Sequence, residues 1–203
     1  MVGILSIDFD YFIDITSEER DLYFPKGNDG ISKANLKLMW KERYLRHPKL
    51  RDVGVIKDYY ILKEFLALSN IHKNKFHVAD SHKSIRKIID RIPWSSQLKI
   101  VNIDFHHDYY HYYSGGDNFN CGNWLRRIIE ERPNTKVKWV RREDSQIYSL
   151  EGEFPFENTT DIGPIFEENF DYIFICRSPE WSPPHLTSKF EELVRSIYKG
   201  KIA

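Results

Sequence analysis

At 203 residues, with thirty basic and thirty acidic side chains that cancel, the chain suits one domain, 1–203, with a substantial core. It has no global field to draw it to nucleic acid or an anionic membrane. Met1 to Leu5 lack the basic start and long apolar stretch of a signal peptide, and no apolar run approaches the ~20 residues that span a bilayer. A cytoplasmic protein with no membrane partner is expected, and nothing in the sequence speaks to its oligomeric state. Cys121 and Cys176, the only cysteines, read as reduced thiols rather than a disulfide framework or a thiolate zinc site.

In chain order, short runs rich in Val and Ile alternate with segments of helical spacing. Residues 3–9 read as a first buried strand. Residues 21–35, with Pro25, Gly27 and Gly30, read as a surface loop, and residues 56–68 as a helix. A strand at 75–79 follows, then a helix over 84–92 in which Ile85, Ile88, Ile89 and Ile92 share one face. Residues 98–103 form the next strand, followed by an aromatic cluster of Tyr109, Tyr110, Tyr112 and Tyr113 suited to packing or to lining a cleft. A helix at 124–131 leads to a strand at 136–140. Residues 145–164, acidic and carrying two prolines, read as a loop bordering the active site. The last strand is 172–176 and the last helix 186–198. Alternation of this kind implies an α/β fold: three layers, α/β/α, with a mostly parallel sheet.

Three of these runs end in side chains that ligate metals. Ser6-Ile7-Asp8-Phe9-Asp10 closes the first, Asp80-Ser81-His82 follows the second, and Asp104-Phe105-His106-His107-Asp108 closes the third. Residues two apart on a strand point to one side, so Asp104, His106 and Asp108 converge if that strand continues, and Asp8 and Asp10 obey the same rule. Open α/β sheets bind ligands beyond the carboxyl ends of their strands, where all three motifs fall. Each also has a plainer reading. An Asp-x-Asp at a strand end serves as a turn former or helix cap, and His82 suits the start of a helix. The Asp8–Asp10 pair also resembles the haloacid dehalogenase nucleophile motif, although Phe12 stands where that motif has Thr or Val. Three polar side chains on one side of a buried strand end are costly unless paired or metal-bound, which favours the metal site.

Taken together, these segments resemble the metal-binding motifs of the arginase and agmatinase (ureohydrolase) superfamily. Asp104-Phe105-His106-His107-Asp108 is similar to its Asp-x-His-x-Asp motif, Ser6-Ile7-Asp8-Phe9-Asp10 to its Ser-x-Asp-x-Asp motif, and Asp80-Ser81-His82 to its Gly-Gly-Asp-His-Ser segment. The resemblance implies a ureohydrolase-like fold and two Mn²⁺ ions. His82, Asp104, Asp108 and Asp8 would hold one and His106, Asp104, Asp8 and Asp10 the other. The motif order is rearranged, since in arginases Ser-x-Asp-x-Asp follows Asp-x-His-x-Asp whereas here it opens the chain. Cys121-Gly122-Asn123-Trp124-Leu125 resembles the family's Ser-Gly-Asn-x-His, which implies a substrate contact for Asn123 but puts Leu125 in place of a proton-shuttling His. A short chain with this order most resembles the peptide arginases of ribosomal-peptide (RiPP) modification, which convert arginine side chains of a precursor peptide to ornithine and urea.

Oxygen-rich ligation with two imidazoles favours a hard ion such as Mn²⁺. Two such ions activate a water for attack on the guanidinium carbon, with Asp108 orienting it and passing a proton to the departing amine. Glu180, just past the last strand, is the candidate carboxylate for the planar cationic guanidinium. His111 or His107 would replace the absent shuttle His. Two enzyme alternatives remain, a small-molecule ureohydrolase and a deacetylase-like amide hydrolase. A non-catalytic metal- or peptide-binding module is the alternative from another class.

Overall fold

The strands β1 (Val2–Asp8), β2 (Phe76–Ala79), β3 (Leu98–Ile103), β4 (Lys136–Val140), β5 (Glu157–Thr159) and β6 (Tyr172–Cys176) form one sheet in the order β2-β6-β1-β3-β4-β5. Every pairing in it is parallel. The structure is a computed structural model that describes residues 1–26, 30–69, 75–110, 118–146 and 155–199.

The helices are α1 (Ser17–Tyr23), α2 (Lys33–Arg46), α3 (Lys57–Leu68), α4 (Arg86–Ile89), α5 (Trp124–Glu131) and α6 (Thr187–Lys199). They cover the sheet on both sides because its strands are apolar on both sides. In β1, Leu5 and Ile7 face a core shared with Leu36 and Trp40 of α2, Leu62 and Leu66 of α3 and Leu193 of α6. Ile4 faces the opposite core, built with Ile88 and Ile89 of α4 and Trp124, Leu125 and Ile128 of α5. Alternate residues of one strand thus serve two layers, as a fully covered parallel sheet requires. The expected three-layer α/β/α architecture is what the chain adopts. No helix among the described residues is long and apolar enough to cross a membrane.

Strands β3, β4 and β6 fall where the sequence places them, and β1 is displaced by one residue because Phe9 already belongs to a 3-10 turn, Phe9–Phe12. The helix expected over 84–92 begins earlier and ends sooner, as a 3-10 turn His82–Ile85 running into α4. The loop expected over 21–35 holds the last turn of α1 and the first of α2. Likewise, the loop expected over 145–164 contains β5 as a short edge strand and the start of a 3-10 turn, Gly163–Glu167, while 147–154 lie outside the described residues.

Strands β1 and β3 are neighbours, yet β1 is followed in sequence by the strand at one edge of the sheet while β3 is followed by β4 on its other side. Connections leaving in opposite directions open a crevice beyond the carboxyl ends of this pair, the ligand-binding position of open α/β sheets.

Candidate metal centre

Asp8 closes β1 at that crevice, and one of its oxygens, Oδ1, accepts the Asp10 N–H at 3.1 Å, starting the turn on which Asp10 sits fully buried. Asp8 is thus the cap of this turn, and the same turn buries Asp10 beside it. The other oxygen, Oδ2, accepts the Ser178 hydroxyl at 2.5 Å and lies 3.4 Å from Nδ1 of His82. Arg177 N–H and Ser178 N–H donate to the carbonyls of Ala79 and Asp80, so β6 carries Ser178 past its own end and holds it over the site.

His82 is 1% exposed, its ring stacked between Trp124 and Phe174 at centroid distances of 4.8 and 5.5 Å. Its Nε2 lies 2.7 Å from Ser6 Oγ. The other nitrogen, Nδ1, is thereby turned to the carboxylates, 3.0 Å from Asp108, 3.2 Å from Asp104 and 3.4 Å from Asp8.

The third motif converges by a route different from the one its spacing implies. β3 stops at Ile103 and does not continue as a strand to Asp108. Instead Asp104 Oδ1 accepts the His106 N–H at 2.8 Å and bends the chain back, while Asp104 itself is anchored by its N–H on the Val140 carbonyl and by Trp139 Nε1 on its own carbonyl. Asp108 adopts φ 49° and Ser178 φ 46°. Left-handed backbone at non-glycine residues is uncommon and gathers at functional sites. Asp108 Oδ2 accepts Trp124 Nε1 at 2.5 Å, and its carbonyl accepts the Leu125 N–H at 3.1 Å. His106 Nδ1 comes to 3.0 Å from Asp10 Oδ2. His107 points away into the core against Tyr110 and Trp139.

Two overlapping groups result, His82–Asp104–Asp108 and Asp10–Asp104–His106, each with its ligand atoms within 4.8 Å of one another. Asp8 joins the first through its approach to His82. All six residues singled out as ligands in the sequence are brought to one crevice. Among the described residues, the buried side-chain polar atoms that make no hydrogen bond are both oxygens of Asp10, Nδ1 of His82, Nε and Nη1 of Arg20 and Oδ1 of Asn102. Arg20 stands 3.8 Å from Asp10, and Asn102 donates to Asp104 Oδ2 at 3.3 Å. Buried polar atoms are ordinarily satisfied, and among these exceptions the lone-pair donors Asp10 Oδ1, Asp10 Oδ2 and His82 Nδ1 are atoms that a cation would satisfy. The 3.0–3.4 Å spacing of the first group is close to the edge of an octahedron with bonds of ~2.1 Å. These residues could hold a metal ion.

Protonation tells the same story. Burial, then the neighbouring charge of Asp10, pushes Asp8 up to about 6, and burial with the Asp108 charge pushes Asp104 to about 7. Burial likewise raises Asp108. Burial works in the same direction on Asp10, but the imidazolium of His106 and then Arg20 outweigh it and leave that carboxyl below its ordinary value. Burial opposes charging of both imidazoles. It is overcome at His82 by Asp104, Asp108 and Asp8, which raise it well above its ordinary value, and at His106 by Asp10, to about 9. Without a metal, protons must supply the positive charge that four crowded carboxylates demand.

The cluster opens to solvent through a cleft of about 190 Å³, whose walls include Arg20, Asp21, Phe105, Tyr110, Gln146 and Trp181. Trp181 leans over His106 with centroids 4.5 Å apart. Glu180 is half-buried on the turn just before Trp181 and does not line this cleft. Asn123 is 1% exposed and spends its amide on the loop, accepting from Asn120 N–H and donating to the Asn118 carbonyl, while the adjacent Cys121 and Gly122 face the cleft. His111 lies outside the described residues.

The partners that hold the ligands, Ser178, Trp124, Arg20 and Asn102, were not singled out in the sequence. Only the Thr16-Ser17-Glu18-Glu19 capping signature ahead of Arg20 offered a signal, by marking a helix that would carry it. Comparison with family models, with curated proteins and with solved structures gives no match.

Proposed function

We propose that this chain is a Mn²⁺-dependent hydrolase that converts arginine side chains of a precursor peptide to ornithine, releasing urea in the cytoplasm. One observation carries the reading: Asp104 is shared by two ligand groups, buried except for the partly exposed His106, around which the unsatisfied polar atoms of the described core collect. The donors are carboxylate oxygens and two imidazoles, a set that suits hard divalent ions. When bound, a pair of such ions supplies an activated water nucleophile and electrophilic assistance at the substrate carbon.

The chain's own residues do the rest. Trp124 fixes one oxygen of Asp108, leaving the other to accept a proton and return it to the leaving δ-nitrogen. A cleft of about 190 Å³ is smaller than those that take drug-sized ligands, roughly 300 Å³ and upward, and fits one inserted side chain. Its aromatic walls Tyr110 and Trp181, together with the carboxylate of Asp21, suit a planar delocalised cation. Asp21 lines this cleft where Glu180 does not, and it would meet the guanidinium in exchange for its present partners, Gln146 Nε2 at 2.8 Å and Lys26 Nζ at 3.3 Å. The resemblance to peptide arginases supplies the choice of peptide over free amino acid.

Incubation of the Mn²⁺-loaded protein with arginine-containing peptides should produce urea and a peptide mass loss of one urea less one water for each modified residue. Free arginine should react far more slowly, and Asp10→Asn should abolish urea release. Urea from free arginine at equal or greater rate would favour the small-molecule ureohydrolase. Intact peptide affinity and biological activity in Asp10→Asn would favour a binding module.

A further inference from the structure

Cys176 is the one buried thiol at the crevice, and nothing in the hydrolase reading uses it. It ends β6 in register with Asp8 of β1, so both side chains leave the same face of the sheet, toward His82. Asp8, His82 and Cys176 present a carboxylate oxygen, an imidazole nitrogen and Sγ within 4.8 Å of one another, and all three residues are buried. Ser178 Oγ touches both flanks, 3.3 Å from Cys176 Sγ and 2.5 Å from Asp8 Oδ2. The second observation is His82 itself. Ser6 occupies Nε2, while Nδ1, in a ring 1% exposed, makes no hydrogen bond and faces Asp8 at 3.4 Å beside Asp104 and Asp108.

We propose that Asp8, His82 and Cys176 form an alternative site for a thiophilic divalent ion such as Zn²⁺ or Cd²⁺, mutually exclusive with the hard-ion centre because it takes Asp8 and His82 from it. A thiolate, an imidazole and a carboxylate are the donors zinc prefers, whereas Mn²⁺ gains little from sulfur. The exchange balances simply: the thiol S–H bond breaks, its proton leaves to solvent, and sulfur donates its electron pair to the incoming ion, with no change of oxidation state. Asp8, His82 and Ser178 all line the cleft, so an ion arriving from solvent reaches them on the way to Cys176. The consequence is a centre that thiophilic ions block rather than activate. The inference goes beyond the hydrolase reading but shares its premise that Asp8 and His82 are metal ligands.

The test is a titration of the metal-free full-length chain with Cd²⁺, followed by the near-ultraviolet thiolate-to-metal charge-transfer band. A band should appear and saturate, vanish in Cys176→Ser and persist in Cys121→Ser, which removes the other thiol, one that borders the cleft. Cys176→Ser should bind Cd²⁺ at least ~10-fold more weakly yet still take up Mn²⁺, and excess Zn²⁺ should displace Mn²⁺ from the parent chain more readily than from this variant. Absence of the band, its survival in Cys176→Ser or its loss in Cys121→Ser would overturn the proposal. So would a Cys176→Ser chain that fails to fold, since the thiol would then be a packing residue. Failure of urea release with the band present would instead sink the arginase reading and leave this site standing.

Discussion

Arg20 brings a buried positive charge to the edge of the carboxylate cluster. Its Nη2 donates to the carbonyls of Asp10 and Ile13 at 2.7 and 3.2 Å, its Nη1 stands 3.8 Å from Asp10 Oδ2, and its guanidinium lies 3.9 Å over the ring of Phe105. It thus fixes the turn that presents Asp10 and balances that carboxylate's charge. Lys in its place keeps the charge and loses the planar fork, while Gln keeps a donor and loses the charge. Either change should weaken Mn²⁺ at the Asp10–His106 position by roughly 10–100-fold, as loss of partners behind metal ligands does, and spare the His82 position. A two-site calorimetric titration indistinguishable from the parent chain would remove Arg20 from the account. The six clustered candidates were legible in the sequence because each follows an apolar run at a strand end. Arg20, Ser178 and Trp124 were not, since they arrive from remote elements through packing alone. Even the convergence of Asp104 with Asp108 depends on a turn and a left-handed residue, not on the two-residue period of a strand.

Among the helices, α1 and α2 have no expected counterpart in the sequence. In α2 only Leu36 and Trp40 are buried, while Leu38 and Leu45 are 64% and 68% exposed, so the apolar residues do not trace one face. The short α1 buries only Arg20, which no search for apolar periodicity detects. It is held instead by its start, where Thr16 Oγ1 accepts the Glu19 N–H and Glu19 reaches back to the Thr16 N–H. Thr16→Ala should cost ~1 kcal/mol, read as a lower urea midpoint with unchanged slope. It should also weaken Mn²⁺ binding in the same direction as the Arg20 variants, because α1 carries Arg20. Unchanged metal affinity alongside the lost stability would show that Arg20 keeps its place without the cap. The strands β3, β4 and β6 were legible to the residue because buried parallel strands are short uninterrupted apolar runs; β5, half-exposed Glu-Asn-Thr at the edge, has no such signature.

For the whole molecule, the long sequence separation of the three motifs is harmless because the crevice is defined in space. β1 opens the chain yet lies beside β3, so Asp8 and Asp10 meet Asp104 and His106 across the pair. A common charge balance also links the cluster to pH. In the metal-free chain Asp8 titrates near 6, Asp104 near 7 and His106 near 9, and His82 is raised as well. Each raised group keeps its proton below its own value, and an incoming ion must expel it. Mn²⁺ affinity should therefore climb from about pH 6 to about pH 9 with release of protons, measurable by titration in buffers of different ionisation enthalpy. Affinity independent of pH across that interval would mean the ligands are not those named.

The most direct measurement is the Mn²⁺ content of the chain after equilibrium dialysis, beside that of Asp104→Asn. Two ions per chain are expected, with severe loss of both in the variant because Asp104 is common to the two groups. A parent chain that retains no Mn²⁺, or an Asp104→Asn chain that retains as much as the parent, would contradict this expectation.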